Sequence, residues 1–572
     1  MVNQNIFTLK IGGQAGQGIK SAGLMLAKVA TRSGYYTYTY TEYPSLIRGG
    51  HNVMQINVSS EEVTAPSKKT DFLIALNQQT INLHSGELIA GSGVLFDSEK
   101  SFDIAKVEKG VNLYPVPLSK FANSAGGGEL LSNTVALGAA TAILDGNLSM
   151  LKNLINEEFA NKDPKVATMN QQAAEAGFNF AQENFAENFK KTLTPIENNI
   201  PKMVVNGNDA VALGAIAAGL QFAAIYPMSP ISNILHVLAS YQEKYGYVYK
   251  QPEDEISAIN MAIGASFAGV RSMTATSGGG FCLMTEAYGL SGMTETPIVI
   301  VLGMRPGPAT GFPTWSEQGD LRFVLHAHQG DFPRIVLAPG DAKEAFDLTM
   351  QAFNLADKYQ TPVVLLIDKN ICEDDQSFPV FNISSYETSR GKFSSQNLPD
   401  YKRFSLEDSG ISMRTIPGTG NFFVANSDEH DEQGLSNEEA ANRNSQMKKR
   451  MNKLTTCTKE DMKSPQLFGP PDADITIVSW GNNKGSILQA MKQYNNVNFL
   501  HITWLNPFPA EAIKNILTKA KHIIDVECNF SGQMAGLIRE KTGIEITDKL
   551  LKYDGRPIFP EEIAEKINST IK

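Results

Sequence analysis

The sequence predicts an α/β protein made of three α/β domains, and three observations lead there. Its 572 residues exceed what a single hydrophobic core serves. Apolar runs of strand length alternate with helical patterns in three separate blocks. Between the blocks lie stretches with neither periodicity, at 191–203 and 379–472.

The first block covers residues 1–190. IFTLKIGG (5–12) reads as a buried strand ending in glycine, and SAGLMLAKVATRS (21–33) as a helix. Strand-like runs follow at 35–40, 53–58, 72–76 and 94–97, with helical stretches near 131–144 and 166–190, so a largely parallel sheet is expected. The loop IGGQAGQGIKS (11–21) joins strand to helix. Glycines Gly13, Gly16 and Gly18 would let the backbone approach an anion at a helix N-terminus. A Walker A loop needs lysine directly after its last glycine, and Ile19 intervenes before Lys20; Ser21 breaks G-x-G-x-x-G. Anion binding and a plain tight turn are equally good readings of these residues. In EYPSLIRGGH (42–51), Arg48 before two glycines suits a phosphate or carboxylate clamp, or simply an exposed loop.

After the linker 191–203, the second block (204–378) places strands at 223–226, 272–275, 298–303, 334–338 and 363–367, with helices at 208–220, 231–243, 255–269, 283–292 and 341–357. This is a doubly wound pattern. Residues 379–472 are rich in Ser, Asn, Asp, Glu and Gly, and are expected to form a long surface connection with one helix at 436–454. The third block (473–572) gives strands at 475–479, 497–502 and 522–526 and helices at 484–493, 509–518 and 531–541.

Composition narrows the function. Hydrophobic residues make up 42% and charged residues 19%, as in ordinary globular proteins. A net charge of −10 argues against bulk nucleic-acid binding and against a polybasic membrane anchor. Cys282, Cys372, Cys457 and Cys528 are scattered with no C-x-x-C, so no local zinc or iron–sulfur motif is expected, and a reducing, cytoplasmic setting is. MVNQNIFTLKIGG enters a strand without the pattern of a secretory leader. The most apolar stretch, 210–225, is interrupted by Gln221 and reads as a core helix.

Three pieces of the second block carry candidate chemistry. IYPMSPIS (225–232) leaves a strand at its C-terminal end, where open α/β sheets bind ligands; it holds Tyr226, Pro227 and the hydroxyl of Ser229. Glu255 opens the helix of PEDEISAINMAIGASFAG (252–269), where a partly buried carboxyl would have a raised pKa, or would serve only the helix dipole. TATSGGGF (274–281) precedes VLGMRPGPATGFPTWSEQGDL (301–321), whose Arg305 follows an apolar strand and is suited to fork onto a carboxylate. His326 and His328 in HAHQGDFP lack an evident third metal ligand, and DEHDE (428–432) reads as solvated linker, so no metal site is expected in this chain.

Together these motifs resemble the alpha subunit of 2-oxoacid:ferredoxin oxidoreductases with a gamma domain fused in front. IGGQAGQG and YPSLIRGGH resemble the gamma domain. YPMSP, EDEISAINMAIGAS, TATSGGGF and RPGPATGFPTWSEQGDL resemble the doubly wound pyrimidine-binding domain for thiamine diphosphate. DEHDEQG with MKKRMNKL resembles the family's linker, and ITIVSWGNNKGS with NPFP the transketolase C-terminal-like domain. The resemblance implies oxidative decarboxylation of a 2-oxoacid with coenzyme A as co-substrate, giving acyl-CoA, carbon dioxide and electrons for ferredoxin. It implies thiamine diphosphate shared with a beta subunit that carries Mg²⁺ and a [4Fe–4S] cluster, in a heterodimer or dimer of heterodimers. The absence of a Gly-Asp-Gly motif here fits that division. By the same resemblance Glu255 bonds the aminopyrimidine ring. Arg305 holds the substrate carboxylate, and Ser229 replaces a threonine hydroxyl beside the substrate, with Tyr226 and Pro227 in the same loop. Arg48 and the glycines of 13–18 lie toward coenzyme A. The competing readings are a self-sufficient thiamine enzyme and a nucleotide-binding, structural or regulatory subunit without a catalytic role.

Overall fold

The computed structural model describes residues 6–46, 49–159, 163–185, 189–196 and 200–571. Among them lie three β-sheets of eight, seven and five strands, each flanked by helices. Among the described residues no helix is long and apolar enough to cross a membrane.

The first sheet runs Asn112–Val116, Leu88–Asp97, Thr70–Ala75, Phe7–Gln14, His51–Ser59, Tyr36–Glu42, Gln376–Pro379, Lys202–Val205. Its first four strands are parallel to their neighbours. From His51–Ser59 onward every pairing is antiparallel, so the sheet is mixed and not largely parallel as expected. The reason is chain connection: Tyr36–Glu42 and His51–Ser59 are joined by a short loop, which permits only antiparallel pairing. Lys202 and Met203, expected in a linker, open a strand that pairs with Gln376–Pro379. The two ends of the second block therefore extend the first sheet.

The second sheet, in order Trp504–Asn506, Ile335–Leu337, Pro362–Asp368, Ile298–Met304, Ser272–Ser277, Phe222–Ala224, Val248–Lys250, is parallel except at its first edge, where Trp504–Asn506 runs antiparallel. Its central strands IVIVLGM and PVVLLID are buried at every residue, which is why they read as unbroken apolar runs. One face packs on Val211, Phe346 and Phe353. The other shares a core with the third unit, where Ile259, Phe281 and Val324 join Trp480, Leu500 and Ile513.

The third sheet, Gln466–Phe468, Val497–His501, Ile475–Ser479, His522–Glu527, Asp548–Leu551, matches the expected strands and adds one at each edge. The connection 379–472 contains the helix Ala440–Glu460 but is not a loose surface segment. Its Lys449 and Lys453 are buried against Glu295, each ammonium about 2.6–2.7 Å from a carboxyl oxygen. Its Arg414 is buried on Asp357 at 3.1 Å, which also receives Arg271 at 3.0 Å. Charged composition suggested solvent, but these charges are paired inside.

Candidate active site

Three neighbouring parallel strands deliver the site. Phe222–Ala224, Ser272–Ser277 and Ile298–Met304 lie side by side, with Ser277 beside Gly303. The loops that leave their C-terminal ends carry Tyr226–Ser229, Gly278–Gly280 and Arg305 to one edge of the sheet. A cavity of about 500 Å³ opens there, lined by Met228, Ser277, Gly278, Cys282, Arg305 and Asp320 among others.

Glu255 lies beneath this edge. Its helix, Glu255–Phe267, starts where the Asp254 carboxylate accepts the Ser257 N–H at 2.7 Å. The Glu255 side chain is buried, and its Oε1 has no hydrogen-bond partner. Gly280 makes room for it: a Cβ there would stand 2.5 Å from Glu255 Oε1 and 2.1 Å from Thr276 Oγ1. An orphaned buried carboxyl oxygen costs about 1–3 kcal/mol, and here, at the edge where the ligand loops converge, it is open to a partner from outside the chain.

Arg305 is half-buried and donates from Nη1 to the Ser229 carbonyl oxygen at 2.9 Å. The contact from the YPMSP loop is thus its backbone carbonyl. Burial lowers the Arg305 pKa and nearby Asp320 opposes that. Asp320 lines the same cavity, has a buried Oδ2 without a partner, and is pushed up to about 6 by burial, against the pull of Arg305. Ser277 Oγ is likewise buried and unpaired. Tyr226 is half-buried and Pro227 exposed in the loop before Met228.

The glycine loop of the first unit is not part of this cavity, whose lining comes from the second unit. Gly16 and Gly18 have φ of 95° and 68°, which explains glycine at both positions. The loop closes on itself: Gln17 Oε1 accepts the Gln14 N–H at 2.6 Å, and Asn133 Nδ2 donates to Gln17 O at 3.0 Å. A Cβ on Gly13 would stand 2.5 Å from Gln17 Oε1. Arg48 lies outside the described residues. His326 ends the short helix Leu321–His326, and His328 Nδ1 meets the Gln329 carbonyl at 2.5 Å. Among the described residues no three His, Cys, Asp or Glu side chains are grouped to hold a metal.

Sequence reasoning overlooked Asp320, Ser277 and Gly280, although all three lie in motifs it quoted. The available signal was the pairing of a glycine run after one strand with QGD after the neighbouring strand's loop.

Comparisons with known proteins converge on one family. Residues 213–450 match the family described as pyruvate flavodoxin/ferredoxin oxidoreductase, thiamine diP-binding. Residues 8–180 match pyruvate ferredoxin/flavodoxin oxidoreductase, and 473–563 match pyruvate:ferredoxin oxidoreductase core domain II. The 2-oxoacid:ferredoxin oxidoreductase subunit alpha of Saccharolobus solfataricus is 33% identical, covering 98% of this chain and 97% of that protein. The 2-oxoglutarate oxidoreductase subunit KorA of Mycobacterium tuberculosis is 27% identical, covering 98% and 91%. The solved 2-oxoglutarate:ferredoxin oxidoreductase from Magnetococcus marinus, with 2-oxoglutarate, coenzyme A and succinyl-CoA bound, superposes over 100% of both chains with a TM-score of 0.93 at 32% identity.

Proposed function

Because the chain belongs to the 2-oxoacid:ferredoxin oxidoreductase alpha-subunit family, we propose that the cavity above Glu255 is where a 2-oxoacid meets thiamine diphosphate. The chain is a gamma–alpha fused subunit of a thiamine-diphosphate-dependent enzyme that converts a 2-oxoacid and coenzyme A to acyl-CoA and carbon dioxide, with electrons passing to ferredoxin. The domain division is 1–190 for the gamma-like part, 204–378 for pyrimidine binding and 473–572 for the transketolase C-terminal-like part.

The single observation that carries the site reading is the orphaned Oε1 of buried Glu255, cradled by Gly280. A carboxyl held this way fits the aminopyrimidine ring of thiamine diphosphate, which supplies the carbanion chemistry when bound. Glu255 then holds the proton of the ring nitrogen, its unpaired oxygen being the acceptor. Arg305, with one N–H taken by Ser229 O, turns its remaining donors to the substrate carboxylate. Ser229, Tyr226 and Pro227 shape the rim beside it, and the rigid loop after Arg305 limits water. By the family resemblance, the coenzyme A region is assigned to the loop of Gly13, Gly16 and Gly18, and Arg48 is assigned to it on its sequence motif alone.

A beta subunit supplies the rest. Ile256 and Met261 on the helix Glu255–Phe267 and Leu283 on the helix Gly278–Met293 are about half exposed, apolar side chains open to a partner chain. The four cysteines offer no cluster ligand set: Cys282 is exposed, and Cys372, Cys457 and Cys528 are buried singly. The diphosphate with Mg²⁺ and the [4Fe–4S] cluster are assigned to the beta subunit on the family resemblance. Co-expression with the cysteine-rich partner, followed by assay of a 2-oxoacid panel, tests this. A brown complex should reduce ferredoxin only when 2-oxoacid and coenzyme A are both present. A colourless single chain active by itself would refute the division.

A further inference from the structure

Asp320 stands in the substrate cavity without an assigned task. It follows the Pro- and Gly-rich loop that starts at Arg305, and both residues line the same 500 Å³ space. Its Oδ2 is buried and makes no hydrogen bond. The opposite wall is shaped to admit it, since a Cβ on Gly278 would stand 2.5 Å from that oxygen. Arg305 is bonded to Ser229 O and is not within ion-pair distance of Asp320, so the cavity lies between a cationic donor and a carboxyl that has no other partner.

We propose that Asp320 is a substrate-binding residue for the acid function of the 2-oxoacid: as a carboxylic acid it donates to the 2-oxoacid carboxylate held by Arg305, and as a carboxylate it repels that anion. The assignment rests on the 2-oxoacid reading above. The physics is that of two carboxyl groups sharing one proton, in which the second charge is disfavoured when both are desolvated. The ionisable groups that face Asp320 are Arg305 across the cavity, Glu317 in its own loop and Cys282 on the helix Gly278–Met293. Arg305 favours ionisation of Asp320, whereas burial opposes it, and the balance leaves the pKa at about 6. Substrate affinity should therefore be highest in mild acid and fall as Asp320 ionises.

The test uses the complex of both subunits and oxamate, a non-decarboxylating 2-oxoacid analogue that stays anionic throughout. Calorimetric titration from pH 5.5 to 7.5 should show the wild-type Kd rising about tenfold. In Asp320→Asn, which keeps a donor at every pH, Kd should stay flat within about twofold. Gly278→Ala displaces the same carboxyl and should flatten the same slope. A wild-type Kd that does not rise, or an Asp320→Asn slope equal to that of wild type, overturns the proposal. Failure of the wild-type complex to turn over any 2-oxoacid with coenzyme A would instead overturn the functional reading on which it rests.

Discussion

Glu255 and Gly280 show how much of a site depends on what is not there. Gly280 leaves the space into which the Glu255 carboxyl turns, and a methyl group at 280 would strike it at 2.5 Å. Gly280→Ala is expected to cut kcat at least about tenfold while the circular dichroism spectrum stays unchanged; an unchanged kcat would mean the cradle is dispensable. Glu255→Gln removes the carboxylate proposed to hold the proton and should lower turnover by about 10²–10⁴-fold, the range for general acid–base groups, with the subunits still eluting together. Arg305→Lys keeps charge but loses the planar fork, so the KM for the 2-oxoacid should rise about tenfold or more, with a smaller change in kcat. An unchanged KM would remove Arg305 from the carboxylate site. Glu255 and Arg305 stood out in the sequence because one opens an apolar helix and the other follows an apolar strand. The orphaned oxygen did not, because it depends on a glycine 25 positions away on another helix.

Elements buried on both faces were the easiest to read. IVIVLGM and PVVLLID are unbroken apolar runs, and their strands fall within a residue of where the sequence placed them. YTYTYTE reads as alternation, the mark of an antiparallel strand, yet a parallel sheet was expected from the helices around it. The connection 379–472 misled for a different reason: polar composition does not separate charges in water from charges paired inside. Burial opposes ionisation of Glu295, but Lys449, Lys453 and Arg403 outweigh it and hold the carboxyl well below the usual range. A carboxyl with a depressed folded pKa stabilises above its unfolded value, near 4.5, and that contribution is lost as pH falls through the folded value. Glu295→Ala leaves two buried ammonium groups unpaired and should cost about 3–5 kcal/mol in urea unfolding at neutral pH. A loss below about 1 kcal/mol would show the clasp to be incidental.

At the scale of the whole molecule, the three units are stitched together and not merely strung in sequence. Strands from both ends of the second block extend the first sheet, and Trp504–Asn506 of the third block edges the second. The first and third units also meet directly, where Thr64 Oγ1 donates to the Gly485 carbonyl at 2.8 Å and a Cβ on Gly485 would stand 2.0 Å from Thr64 O. Gly485→Leu should pry these units apart and speed limited proteolysis between them; an unaltered digestion pattern would show that the contact is not needed. Such long-range stitching is invisible to local periodicity, because it joins residues hundreds of positions apart. The measurement closest to the central claim is ferredoxin reduction by the two-subunit complex, wild type against Glu255→Gln, with a 2-oxoacid and coenzyme A. The account predicts acyl-CoA and reduced ferredoxin from wild type and at least a hundredfold loss in the variant at equal cluster content. Equal rates from the two complexes would contradict it.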